Sequence, residues 1–347
     1  MTVNDVFVRD PRPTISVIMA NYNGAAYLAD AIASVQNQTL REIEIIVSDD
    51  ASTDDSVAIV TRLMANDSRI RLVRGEQNNG PGAARNKALA IAVGEWIAVV
   101  DSDDVIYPQR LATLIEAAEQ DCADIVADDL IQLDQNNTEP AKRLLTGRWR
   151  ERSLWVNVVE YVRLNKIYGP GPGLGYLKPI FRASVLRQLT KPYDESLRNS
   201  EDFDLVLRLL HAGARMRVHP FALYIYRKHS GSLSHRLSET ALTALFAANR
   251  HFLDHVVSGN STLRAALIER ARSIETAVAY ERILSAMKAR SFGTALAIAI
   301  NHPKGAALLR LPIGVRLRRL IPHQLARRTR RKPQMSQAAR LPNKAHY

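Results

Sequence analysis

Short apolar runs alternate with amphipathic stretches through the first third of the chain. Ile15–Met19, Ile43–Val47, Ile70–Val73 and Trp96–Val100 are brief and dominated by Ile and Val. Runs of that kind predict strands buried on both faces. Between them Leu28, Ile32 and Val35, then Val57, Val60, Leu63 and Met64, recur at helical spacing, with Ser52 as the expected cap of the second helix. Pro108 opens another helix carrying Leu111, Leu114 and Ile115. Strands alternating with helices predict right-handed βαβ units and an α/β fold with a mainly parallel sheet.

The pattern loosens afterwards. Ala123–Leu133 and Phe221–Tyr226 read as two further strands, and the Gly/Pro-rich stretch 169–175 as a loop. Ser200 is placed to cap a helix bearing Phe203, Val206, Leu207 and Leu210. From Glu239 to Ile300 the sequence is Ala- and Leu-rich and helical. The expected division is an α/β domain over 1–235, with halves at 13–135 and 136–235. A helical extension over 236–303 and a basic tail over 304–347 follow.

Charge sharpens that division. The net charge of +12 equals the count of Lys and Arg from Lys304 onward, where Asp and Glu are absent, so residues 1–303 balance to zero. A neutral body with a basic tail argues against nucleic acid as a partner. Cys122 is the only cysteine, which excludes an intramolecular disulfide and fits a reducing compartment. With no signal-like N-terminus and no run of eighteen apolar residues, a cytoplasmic or peripheral protein is expected.

The chemistry concentrates at strand ends. Trp96–Val100 runs into Asp101, Ser102, Asp103 and Asp104, and the second strand ends in Asp49 and Asp50. Asn21-Tyr22-Asn23 follows the first strand, and Asn79-Gly80-Pro81-Gly82 opens a helix with Arg85 in its early turns. In open α/β sheets these ends meet in one crevice, where carboxylates take hydrogen bonds from a nucleoside. A divalent metal and Arg85 would neutralise a diphosphate there. A solvated acidic turn would show the same residues. Neither a dinucleotide fingerprint nor a Walker lysine motif is present. Tyr22 and Trp96 are expected to be packing residues.

Val17–Gly24, Val47–Asp54, Asn79–Asn86 and Val99–Asp104, in this order and spacing, resemble the family-2 glycosyltransferases of the GT-A fold. The full-length resemblance is to bacterial exopolysaccharide glucosyltransferases of the succinoglycan type. It implies a nucleotide-sugar donor, UDP-glucose, and inversion with Mg²⁺ or Mn²⁺ as cofactor. It also implies a lipid-diphosphate-linked oligosaccharide acceptor. Carried over, Asn21, Asp50, Arg85 and Asp101 bind the donor, Asp103 ligates the metal, and Asp104 and His229 are further ligand candidates. The family's base lies in a Glu-Asp pair opening a helix, which matches Glu201 and Asp202, with Asp202 as catalytic base and Glu201 as accessory. Acids in a first helical turn also favour the macrodipole without any such role.

In the tail, Leu308, Leu309, Leu311 and Ile313 are interleaved with Arg310, Arg316, Arg318 and Arg319, and Pro312 and Pro322 break it into short pieces. Such segments suit the anionic cytoplasmic face of a membrane. Two other readings stand beside the transferase: a sugar-nucleotide pyrophosphorylase and a non-catalytic carbohydrate-binding or assembly subunit. The first would need an Arg-containing, glycine-rich loop after the first strand, where Ala20-Asn21-Tyr22-Asn23-Gly24 stands.

Overall fold

The computed structural model describes residues 12–135, 140–229, 238–256 and 259–310. Strands β1 (Ile15–Asn21), β2 (Ile43–Asp49), β3 (Ile70–Arg74) and β4 (Trp96–Val99) pair in parallel in the order β3-β2-β1-β4. Strands β5 (Val105–Ile106), β6 (Ile125–Asp134), β7 (Lys142–Arg143), β8 (Leu154–Val156), β9 (Ile180–Arg182) and β10 (Met216–Lys228) complete one sheet of ten strands among the described residues. β6 and β10 run parallel over ten registered pairs, whereas every antiparallel pairing spans three or fewer. By length of pairing the sheet is mainly parallel, as the alternation predicts.

Helices α1 (Ala25–Gln36), α2 (Ser56–Met64), α3 (Pro81–Ile91) and α4 (Arg110–Gln120) alternate with the early strands. All seven residues of β2 and all four of β4 are buried, because helices cover both faces. Leu28, Ile32 and Val35 of α1 and Leu111 and Leu114 of α4 join the same core. The chain leaves β1 toward β2 on one side and returns to β4 on the other. That reversal opens a crevice at the carboxyl ends of β1 and β4.

Short helices α5 (Arg148–Glu151), α6 (Val158–Leu164) and α7 (Ala183–Leu186) precede α8 (Glu201–His211). Then come α9 (Glu239–His251), the long α10 (Ser261–Lys288), α11 (Phe292–Asn301) and α12 (Pro303–Ala307). α10 serves two cores: Leu263, Ala266 and Leu267 pack into the sheet's core, while Ile274 and Ala277 meet Leu242 and Leu245 of α9. Among the described residues no helix is long and apolar enough to cross a membrane.

Both expected serine caps are corrected. Ser52 donates its hydroxyl to Asp49 at 2.5 Å and its amide to the same carboxylate at 2.9 Å, so it pins the loop after β2, and α2 starts only at Ser56. Ser200 does precede α8, but at φ 64° it makes no capping bond and turns to Asn199. Residues 311–347, most of the basic tail, and Ser230 to Ser232 lie outside the described residues.

Candidate active site

The crevice at the switch between β1 and β4 is the mouth of a cavity of about 930 Å³. Asn21, Asp50, Arg85, Asp101, Asp103, Glu201, Asp202 and His229 all line it. Eight of the nine residues singled out in the sequence therefore face one space. Asp104, the ninth, is fully buried behind them.

On the β1–β2 side, Asn21 donates to Asp49 at 2.9 Å, while its buried carbonyl oxygen finds no partner among the described residues. Asp50 accepts backbone N–H bonds from Gly80 (2.7 Å) and Asn79 (3.2 Å). Those bonds tie β2 to the turn before α3. Gly80 adopts φ 93°, a conformation that a side chain disfavours, and Pro81 supplies the first helical residue. Tyr22, expected to pack, is instead half exposed at the cavity. Trp96 is fully buried and carries the Arg182 guanidinium 4.4 Å over its ring.

Past β4 the three aspartates separate in role. Asp101 faces Arg85 at 2.7 Å and Lys178 at 2.8 Å. Burial pushes its carboxyl upward, but Lys178 and Arg85 outweigh burial and hold it down to about 2. Asp103 meets His229 Nε2 at 2.9 Å, and the imidazole lies 4.5 Å from the Tyr27 ring. Burial and the Asp101 charge raise the Asp103 pKa. Asp104 accepts from the Tyr224 hydroxyl at 2.7 Å and the Arg227 amide at 2.8 Å. Burial, then Asp103 and Asp101, lift it well above the usual carboxylate range. Oxygens of all three lie within 4.8 Å of one another. Asp103 and Asp104 resist ionisation beside the charged Asp101, a crowding that a cation would relieve, so this donor set fits a hard divalent metal.

The opposite wall comes from α8 and the segment before β9. Arg85 reaches Glu201 at 2.5 Å and Asp202 at 3.3 Å, so one guanidinium bridges the β4 end and the start of α8. Glu201 is buried, which raises its pKa against the pull of Arg85. Asp202 also meets Lys178 at 2.7 Å.

Sequence reasoning missed Lys178, Tyr224 and Arg270. Lys178 follows a Gly/Pro loop with no periodicity to mark it. Tyr224 looks like an ordinary residue of a late strand, yet it accepts from the Asp101 amide at 3.1 Å and donates to Asp104. Arg270 sits in the middle of α10 and still lines the cavity. The loop at 169–175 lines it through Gly169, Gly171, Pro172, Gly173 and Gly175.

Residues 16–188 match the family described as Glycosyl transferase family 2. The succinoglycan biosynthesis protein ExoO of Rhizobium meliloti (strain 1021) is 33% identical over 313 residues, covering 90% of this chain and 88% of its own. The chain is a family-2 glycosyltransferase.

Solved structures agree on the fold of this glycosyltransferase. Residues 1–349 of S. aureus TarS, in complex with UDP-GlcNAc, align with a TM-score of 0.62 at 19% identity, covering 84% of this chain and 92% of that one. The mannosyltransferase PcManGT from Pyrobaculum calidifontis, in complex with GDP-Man and Mn²⁺, gives 0.56 at 18%, covering 88% and 81%. At such identities the likeness establishes a GT-A-type fold for this glycosyltransferase, and the chemistry rests on its own residues.

Proposed function

We propose that this glycosyltransferase moves a hexose, glucose from UDP-glucose, onto a lipid-diphosphate-linked oligosaccharide in exopolysaccharide assembly of the succinoglycan type, with inversion to a β linkage. The observation that carries the reading is the pairing of walls across one cavity. Asp101 at the end of β4 and Asp202 at the start of α8 share Lys178 and Arg85. The likeness to ExoO supports the pathway, and TarS with UDP-GlcNAc and PcManGT with GDP-Man are in keeping with a nucleotide-sugar donor.

In this reading Asp50 and Asn21 hold the uridine, Asp101 the ribose or sugar, and Arg85 the diphosphate. Asp103, with Asp104 and His229 beside it, would hold Mg²⁺ or Mn²⁺, which when bound neutralises charge on the departing diphosphate. The acceptor hydroxyl attacks the anomeric carbon from the face opposite the diphosphate. As the new C–O bond forms, the sugar–phosphate bond breaks, UDP carries off the electron pair, and Asp202 takes the hydroxyl proton. Glu201 holds Arg85 in place. The domain division at 235 and 303 and a tail on the cytoplasmic membrane face belong to the same proposal.

The test is a screen of radiolabelled nucleotide sugars against membranes containing lipid-linked oligosaccharides, with the product's anomeric configuration read by NMR. UDP-glucose should label the lipid fraction with a β linkage. A retained α configuration, or UTP-dependent exchange with sugar 1-phosphate in place of transfer, overturns the reading.

A further inference from the structure

α11 carries no charge, and of its ten residues only Ala295 is buried. Phe292, Leu296 and Ile300 follow one another at four-residue intervals, so they form one stripe. They are 65%, 62% and 70% exposed, the three most exposed large apolar side chains among the described residues. A helix of ten residues is about 15 Å long, half the thickness of a bilayer core, so it cannot span one.

The sequence from Arg282 onward is basic. From Arg282 to the C-terminus there are fifteen Lys or Arg residues and no Asp or Glu. Lys288 and Arg290 precede the helix, Lys304 and Arg310 follow it, and all four are exposed. The helix is also held firmly. A Cβ on Gly305 of α12 would come within 2.9 Å of the Ala279 side chain and 3.2 Å of the Thr276 carbonyl, so α12 lies tight against α10. The pair α11–α12 is thus folded back against α10.

α10 also backs the cavity. Ser273 accepts from the Ile167 amide at 3.0 Å, and Tyr168, on the cavity wall, meets Glu281 at 3.4 Å. α10 ends seven residues beyond Glu281, about 10 Å along its axis.

We infer that the Phe292–Leu296–Ile300 face of α11 lies in the interface of an anionic lipid bilayer, with the flanking cations on the headgroups, and brings the cavity mouth to the membrane surface. Apolar side chains on one stripe with cations at both ends are what an interfacial helix requires. The purpose assigned to this seating rests on the lipid-linked acceptor proposed above; its evidence does not.

The test uses the full chain without donor or acceptor, and vesicles of phosphatidylethanolamine with phosphatidylglycerol or of phosphatidylcholine alone. Wild-type protein should sediment with the anionic vesicles only. The triple variant Phe292→Ser/Leu296→Ser/Ile300→Ser should bind them at least tenfold more weakly while transferring sugar to a detergent-soluble acceptor at the wild-type rate. In Leu296→Trp, indole emission should shift to the blue on adding the anionic vesicles. Equal binding by the triple variant, an unshifted indole emission in Leu296→Trp, or a wild-type dimer that the triple variant turns into a monomer overturns the inference. Because no sugar is present in the binding arms, a failed donor assignment leaves their result readable.

Discussion

Lys178 Nζ lies 2.7 Å from Asp202 and 2.8 Å from Asp101, so a single ammonium group joins the carboxylate at the end of β4 to the one that opens α8. Lys178 and Arg85 together face Asp101, Glu201 and Asp202, two cations against three acids. Removing one partner of such a cluster leaves charge buried without compensation, at a typical cost of about 3 kcal/mol.

Lys178→Met should therefore destabilise the ligand-free protein at pH 7, and the loss should depend on pH. The wild-type Asp101 carboxyl is held down to about 2, so its contribution is complete above the unfolded value near 4 and vanishes as pH falls through 2. The gap between wild type and variant, from urea midpoints, should shrink steadily from pH 5 to pH 2. A gap that stays constant would mean that Lys178 stabilises by packing alone.

Asp202→Asn preserves shape and leaves an oxygen for Lys178, but it cannot take the acceptor's proton. Transfer should fall by about 10²–10⁴, the usual worth of a general base, with UDP binding within about threefold of wild type. Glu201→Gln separates the neighbours, because Glu201 is buried against Arg85 and its loss should appear first as a lower unfolding midpoint. Wild-type turnover in Asp202→Asn would move the base to another residue.

The fold's first half was legible because burial on both faces writes itself as Ile/Val runs, and because strand ends announce themselves by carboxylates. Helical spacing marked α1 and α4 for the same reason. What escaped is held by contacts between residues far apart in the chain. Lys178 is 77 positions from Asp101 and 93 from Arg85, and its meaning comes only when β9 pairs antiparallel with β4. Tyr224 lies 120 residues from the Asp104 it holds. Ser52 and Ser200 misled for a local reason, since a serine before a helix can equally bond to a nearby side chain, and here Asp49 and Asn199 took them.

Asp103 and Asp104 carry raised pKa values, from burial first and neighbouring aspartates second. A carboxyl whose folded value is raised binds protons better in the native state, so stability falls as pH rises from the unfolded value of about 4 through the raised one. Adding Mn²⁺ should reverse that loss at pH 7.5 and do little at pH 4.5, where protons compete. In Asp103→Asn the melting temperature should rise less with Mn²⁺ and vary less with pH. Calorimetric scans at the two pH values check both; an equal Mn²⁺ shift in wild type and variant removes Asp103 from the metal site.

Arg270 is the least conventional residue of the cavity wall. It is 1% exposed, its guanidinium lies 3.7 Å from the Phe203 ring centroid, and it has no ion pair among the described residues. Its bonds go to the Asn165 carbonyl at 3.3 Å and Asn249 Oδ1 at 3.1 Å. Burial pulls its pKa down to about 10, with Tyr161 and Asp204 acting the other way, so it still carries its charge at pH 7. Two effects oppose each other in a substitution. Losing the charge removes a desolvation cost, while losing the side chain leaves a cavity against Phe203, the residue after Asp202. Arg270→Met keeps most of the volume and should cost about 1 kcal/mol, whereas Arg270→Ala should cost about 3 kcal/mol. Because α8 begins at this contact, Arg270→Ala should also lower turnover while leaving UDP affinity unchanged. Urea unfolding of wild type and both variants ranks them, and an Arg270→Met as destabilised as Arg270→Ala would show that the charge and its hydrogen bonds outweigh the packing.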